Sequence, residues 1–187
     1  MKKQILVAAV AASLVAAVCL MTAAPANAAG RATVDVSFSP DGGAETLVLR
    51  TIDRARQSVR VMAYTFTSPA VVRALIQAKR RGVDVQVSVD YRSNADEDRS
   101  GRARAALGAL TYAGVPVRTI RTFPIQHSKY LLVDGTWLET GSYNYTQQAA
   151  RANSENAVVI SGDDEVIRKF VANWEQVTAL GEPYRAQ

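Results

Sequence analysis

From Val34 to Thr122 the chain alternates extended and helical patterns, and the alternation then gives way to an Asp134-Gly135 hairpin signal. Val83 to Val89 reads VDVQVSV, an apolar–polar alternation with the period of two that marks a half-buried strand. Val34–Phe38, Val59–Thr65 and Val115–Thr122 are expected strands of the same series. Between them the sequence predicts helices over Ala44–Gln57, Pro69–Arg81 and Arg102–Ala113. The second is the best punctuated: Ser68 is a suitable N-cap, Pro69 occupies the first helical position, and Gly82 ends the helix. Asp90–Gly101 has no apolar period and reads as a loop. After the hairpin come a short helix or turn over Thr146–Ala152, a buried strand at Ala157–Ile160 and a final amphipathic helix over Asp163–Leu180. Asp163, Asp164 and Glu165 open that helix, where its dipole favours negative charge. Alternating elements interrupted by a hairpin predict an α/β fold. The expected architecture is a single-domain mixed β-sheet sandwiched between helices on both faces.

The amino terminus reads differently. Lys2 and Lys3 precede an apolar run from Ile5 to Met21, and Ala26-Asn27-Ala28 supplies a small-residue cleavage site. Residues 1–28 are therefore expected to be a cleaved signal peptide and residues 29–187 a single domain. The chain is expected to be exported, to periplasm or medium. A retained membrane anchor is the competing reading, since the run approaches spanning length; Pro25 and the cleavage site argue against it. Cys19 is the single cysteine and would leave with the signal, which excludes disulfides and thiolate chemistry in the mature chain. Loss of Lys2 and Lys3 takes the formal net charge from +5 to +3. That modest excess suits a polyanionic partner better than a neutral one.

Residues 127–144 read HSKYLLVDGTWLETGSYN and concentrate the chemistry. His127, the only histidine, stands two residues before Lys129, and Ser142 stands two residues before Asn144. On strands, each pair would share a face. An imidazole nucleophile and an ammonium would then meet one phosphate, with a hydroxyl and an amide beside them. Asp134, seven residues after His127, is expected to fix the hairpin or an ion pair rather than touch substrate. Glu155 leads into the apolar strand AVVI, where a carboxylate needs a partner. Asp96, Glu97 and Asp98 are consecutive and do not make a ligand set, so no metal and no cofactor is expected.

This H-x-K, D, G-S-x-N spacing resembles the HKD motif of the phospholipase D superfamily at every motif position. The run from Val59 to Ser93 is similar to the strand–helix–strand that precedes the motif in that family, so the resemblance covers roughly residues 35–180. A single motif copy is most similar to the small bacterial endonucleases of the superfamily. The resemblance implies a phosphohistidine on His127, with Lys129, Ser142 and Asn144 contacting phosphate and Glu155 holding the imidazole of His127. It implies metal-independent phosphodiester hydrolysis, with DNA or RNA as substrate. It also implies a homodimer, because one histidine must attack while another protonates the leaving group. Two rivals stand beside it: a phospholipase D-type hydrolase of lipid head groups using the same chemistry, and a non-catalytic nucleic-acid-binding module that retains the fold.

Overall fold

A computed structural model describes residues 32–186. The expected signal peptide, Cys19 included, lies outside the described residues. Eight strands and five α-helices follow in the order β1 (Thr33–Ser39), α1 (Gly43–Asp53), β2 (Ser58–Ala63), α2 (Pro69–Arg80), β3 (Asp84–Asp90), α3 (Arg102–Tyr112), β4 (Val117–Ile120), β5 (Tyr130–Val133), β6 (Trp137–Gly141), α4 (Gln147–Arg151), β7 (Glu155–Ser161), α5 (Asp164–Ala179) and β8 (Glu182–Pro183). All strands join one sheet, ordered β1-β7-β6-β5-β2-β3-β4-β8. The β2–β3 and β3–β4 pairs are parallel and the other five are antiparallel, so the expected mixed sheet is present.

Helices cover both faces because β5 is apolar at every position. Leu131 and Val133 join the core beneath α1 to α4, with Val48, Ile52, Leu75 and Leu107. Tyr130 and Leu132 point the other way, to Ile167 and Trp174 of α5. Among the described residues no helix is long and apolar enough to cross a membrane.

The helix starts follow the sequence closely. Ser68 Oγ accepts from the Val71 N–H at 3.3 Å, and Asp163 Oδ1 accepts from the Val166 N–H at 3.0 Å. The first helix stops at Asp53, short of Gln57, for a long-range reason. The N–H groups of Arg56, Gln57 and Ser58 all donate to the carboxylate of Asp134, at 2.9, 2.8 and 2.8 Å. Those donors cannot also continue a helix. Asp134 itself sits at φ 53° and Gly135 at φ 63°, the left-handed pair of a two-residue hairpin turn.

One expectation needs correction, and one element was not expected. Part of the Asp90–Gly101 loop is ordered as a π-helical turn over Arg92–Asp96. Asn94 explains it: fully buried, it accepts from the Phe66 N–H at 2.8 Å and donates to the Asp90 and Tyr64 carbonyls. The strand β8 has no sequence signal, being a two-residue pairing of Glu182 and Pro183 with Thr119 and Arg118.

Candidate active site

The stretch 127–144 spans two strands and the segments that flank them. His127 and Lys129 were expected within a strand, but β5 begins only at Tyr130. The ladder with β2 reaches the Met62–Tyr130 pair and stops. At the next step the Ala63 carbonyl accepts from the side chain of Gln126, at 3.0 Å, instead of from the partner strand. Gln126 also accepts from the Ser128 N–H at 2.8 Å, and its own N–H donates to Asp90 at 2.9 Å. A buried glutamine thus fixes the extended segment that carries the histidine and the lysine.

Ser142 and Asn144 likewise lie just past the end of β6. The N–H groups of Ser142 and Tyr143 both donate to the Asn156 carbonyl, at 3.1 and 3.3 Å, which breaks the regular ladder. Gly141 is required there: a Cβ would collide with the Asn156 carbonyl oxygen of the neighbouring strand β7.

His127, Lys129 and Ser142 line a single cleft of about 500 Å³, closed on one side by Lys169, Phe170 and Asn173 of α5. His127 is exposed within it, while Lys129 is only 9% exposed. The Lys129 ammonium donates to the His127 carbonyl at 2.6 Å and lies 5.1 Å from the ring centre of Tyr64. The same Tyr64 ring packs against the imidazole, with centroids 4.6 Å apart. Burial pushes the Lys129 ammonium below the ordinary lysine pKa, and the charge of Glu155 pulls it part of the way back.

Glu155 differs from expectation. Its carboxylate accepts from the Ser142 hydroxyl at 2.6 Å and from the Asn153 amide at 2.9 Å, and not from the imidazole of His127. Glu155 opens β7, and β7 lies beside β6, so its nearest hydroxyl is the one at the head of that neighbour. Asn144 also departs from the expected arrangement, since it does not line the cleft. Its side-chain oxygen is buried without a hydrogen-bond partner among the described residues. Asp134 lies at the opposite end of β5, on the backbone of residues 56–58. Three N–H donors outweigh the effect of its partial burial and hold its carboxyl below the usual aspartate range.

Sequence reasoning missed Tyr64, Gln126, Thr140, Lys169, Phe170 and Asn173. Lys169 and Asn173 share a helix face at i, i+4, a spacing that cannot by itself name a cleft. Tyr64 has no local signal at all, because the π-helical turn places it through Ser93 and Asn94. Among the described residues no three His, Cys, Asp or Glu side chains gather into a metal-ligand set.

Comparison with known proteins agrees with this geometry. The family described as cardiolipin synthase, PLD-like domain matches residues 48–178. The crystal structure of Nuc from Salmonella typhimurium, a phospholipase D family member, superposes with a TM-score of 0.78 at 43% identity. That match covers 82% of this chain and 99% of that one. A phospholipase D of Rickettsia felis is 33% identical over 144 residues, 77% of this chain and 68% of the relative. The mitochondrial cardiolipin hydrolase of Xenopus laevis is 34% identical over 129 residues, 69% of this chain and 58% of the relative.

Proposed function

The chain belongs to the phospholipase D superfamily and is a phosphodiester hydrolase, and from that premise we propose that it is an exported, metal-independent endonuclease acting through a phosphohistidine on His127. The observation that carries the chemistry is the convergence of His127, Lys129 and Ser142 on one cleft. In the first step an imidazole nitrogen of His127 forms a bond to phosphorus while the bond to the leaving oxygen breaks. In the second, water attacks the phosphohistidine and frees the imidazole. The Lys129 ammonium, with the Ser142 hydroxyl, balances charge on the non-bridging oxygens. Glu155 acts on this site by orienting Ser142 and by its field at Lys129. No step calls for a metal or a cofactor, because His127 itself supplies the nucleophile.

A single imidazole cannot both attack phosphorus and protonate the leaving oxygen on its far side. A two-fold homodimer with a shared active site resolves this, His127 of each subunit playing one role. The surface beside the cleft supports the arrangement. Val34, Val36 and Phe38 of the edge strand β1 are 55%, 50% and 64% exposed. They stand in register with Ile160, Val158 and Asn156 on the sheet face that α5 only partly covers. An apolar edge beside the catalytic cleft fits a second copy of this chain.

Nucleic acid is favoured over lipid by the excess of Lys and Arg in the mature chain, 22 less Lys2 and Lys3 against 17 acidic residues, and by the polar and cationic groups that meet in the cleft. Phospholipid head groups are the second reading, because the named phospholipase and cardiolipin hydrolase relatives align over 77% and 69% of this chain. Parallel incubation with plasmid DNA and with a phosphatidylcholine dispersion, both in excess EDTA, separates the two. The nuclease reading expects DNA cleavage that persists in chelator and disappears in His127→Ala. Turnover of the lipid alone would establish the rival, and activity restored only by added Mg²⁺ or Zn²⁺ would point to another site.

A further inference from the structure

A second concavity, of about 600 Å³, opens at the far edge of the sheet, where the residues following β3 and β4 meet the first turn of α3 and the carboxy-terminal tail. Tyr91, Arg104, Arg121 and Arg185 line it, with Glu182 as its one carboxylate. The Arg121 guanidinium lies 3.8 Å from the Tyr91 ring centre, and its Nε is 3.8 Å from Glu182. The Arg104 backbone N–H donates to Asp98 at 3.0 Å and its Nη1 to the Ala95 carbonyl at 3.3 Å, while among the described residues the side chains of Arg104 and Arg185 have no carboxylate within 4.0 Å. Three guanidinium groups therefore line a concavity that holds one carboxylate.

These arginines are not needed to hold the tail in place. Arg118 does that, donating from Nε to the Thr178 carbonyl at 3.0 Å and from Nη2 to the Gly181 carbonyl. Arg104, Arg121 and Arg185 are exposed by contrast; the Tyr91–Arg121 pair offers a stacking face for a base, and the Arg104 and Arg185 side chains, without a carboxylate partner, offer donors for phosphate.

The concavity is also close to the chemistry. Tyr91 follows Asp90, whose carboxylate accepts from the Gln126 N–H at 2.9 Å, and Gln126 precedes His127. Adding the covalent reach on each side puts the Cα atoms of Tyr91 and His127 no more than about 16 Å apart. At roughly 3.4 Å or more per step, about three to five nucleotides bridge that distance. A phosphatidylcholine carries a single phosphate, and the two phosphates of a cardiolipin are joined by only one glycerol, so neither supplies the run of evenly spaced phosphates that a nucleic-acid strand carries along this path.

We propose that Tyr91, Arg104, Arg121 and Arg185 form a subsite for single-stranded nucleic acid, gripping the phosphates a few nucleotides from the one that meets His127. The inference rests on the nucleic-acid reading above and assigns that substrate a path, from the cleft along the ends of β3 and β4. A base stacks on the Tyr91–Arg121 pair while the other two guanidinium groups meet the backbone.

The test combines binding and turnover in the full chain. Fluorescence anisotropy of a 20-nucleotide single-stranded DNA is measured across a salt series, in a His127→Ala background that cannot consume it. Arg104→Gln with Arg185→Gln leaves the Arg121, Tyr91 and Glu182 contacts intact and should reduce the slope of log affinity against log salt by about 1.4. Adding Arg121→Gln removes the stacking partner of Tyr91 and should weaken binding further at every salt concentration while the slope reduction stays near 1.4, at roughly 0.7 per phosphate contact on a single strand. With His127 present, the triple variant should lose at least tenfold in kcat/KM on the oligonucleotide and keep its rate on bis(p-nitrophenyl) phosphate. An unchanged salt slope and an unchanged kcat/KM on the oligonucleotide, in variants of a protein that does cleave it, overturn the subsite alone. Equal losses on the small diester also overturn it, since the arginines would then be supporting the catalytic site. A loss confined to cardiolipin vesicles transfers the concavity to the lipid reading and overturns the proposal. Wild-type protein that hydrolyses the small diester but neither binds nor cleaves the oligonucleotide overturns the nucleic-acid reading and the subsite together.

Discussion

Lys129 is buried next to the histidine it serves, and its surroundings leave a mark on pH dependence. Burial lowers its pKa while the Glu155 charge opposes that shift, so the ammonium is lost at a lower pH than for a free lysine. The alkaline limb of the kcat/KM profile is therefore expected below the ordinary lysine value. In Glu155→Gln it should move further down, because the opposing charge is gone. A limb that stays in place in that variant would separate the carboxylate from the lysine. Lys129→Ala should cost about 10²- to 10³-fold in kcat, the range found for losing one charge-stabilising donor. Glu139 shows the opposite behaviour on the other sheet face. It is 1% exposed, takes a single hydrogen bond from the Tyr145 hydroxyl at 2.8 Å, and burial raises its pKa to about 8. A raised carboxyl pKa adds stability that is complete below the unfolded value near 4.5 and is lost as pH rises through about 8. Unfolding stability should accordingly decline between those limits in the wild type. Glu139→Gln should flatten the decline, which chemical denaturation at a series of pH values measures.

At the scale of elements, the β5–β6 hairpin aligns the site from both ends. Its far end is Asp134, clamping three N–H groups of the segment that enters β2. Asp134→Ala removes a charged acceptor from three donors and places a side chain poorly suited to φ 53°. It should destabilise the fold by about 2–3 kcal/mol, since hydrogen bonds to charged groups are worth about 1.5–3 kcal/mol each and water replaces part of them here. Activity per folded molecule should be unchanged; a selective loss of kcat would give Asp134 a catalytic role after all. The hairpin, the parallel strand pairs and every long helix were legible because each declares itself locally, by period, cap or turn. The places that were not legible are set by distant partners. Helix α1 stops where Asp134 takes the next donors, and β5 starts late because Gln126 takes the last acceptor of β2. The motif residues His127, Lys129 and Ser142 could be read from spacing alone. Tyr64 and Asn173 could not, since one arrives on the β2 loop and the other on α5. The hydrogen bond that Glu155 makes in the fold was not legible either, because its partner, the Ser142 hydroxyl, arrives from a neighbouring strand.

For the whole molecule, the single histidine and the exposed apolar edge of β1 lead to one expectation about assembly. Light scattering should give about twice the mass of the mature subunit. Mixing wild-type and His127→Ala subunits should yield heterodimers that are inactive or arrested at the covalent stage. Phe38→Glu, at an apolar position 64% exposed on that edge, should weaken the dimer and lower activity together. A strictly monomeric protein with full phosphodiesterase activity would refute the shared site.

The covalent intermediate is the centre of this account, and one measurement reaches it directly. Wild-type protein is incubated with single-stranded oligonucleotide in excess EDTA, quenched in alkaline denaturant to preserve the phosphorus–nitrogen bond, and digested for peptide mass analysis. The account predicts a nucleotidyl adduct on the peptide Thr122–Lys129, at His127, with at most one adduct per two subunits and none in His127→Ala. Hydrolysis without any adduct at His127, accompanied by turnover in His127→Ala above about a hundredth of the wild-type rate, would contradict it.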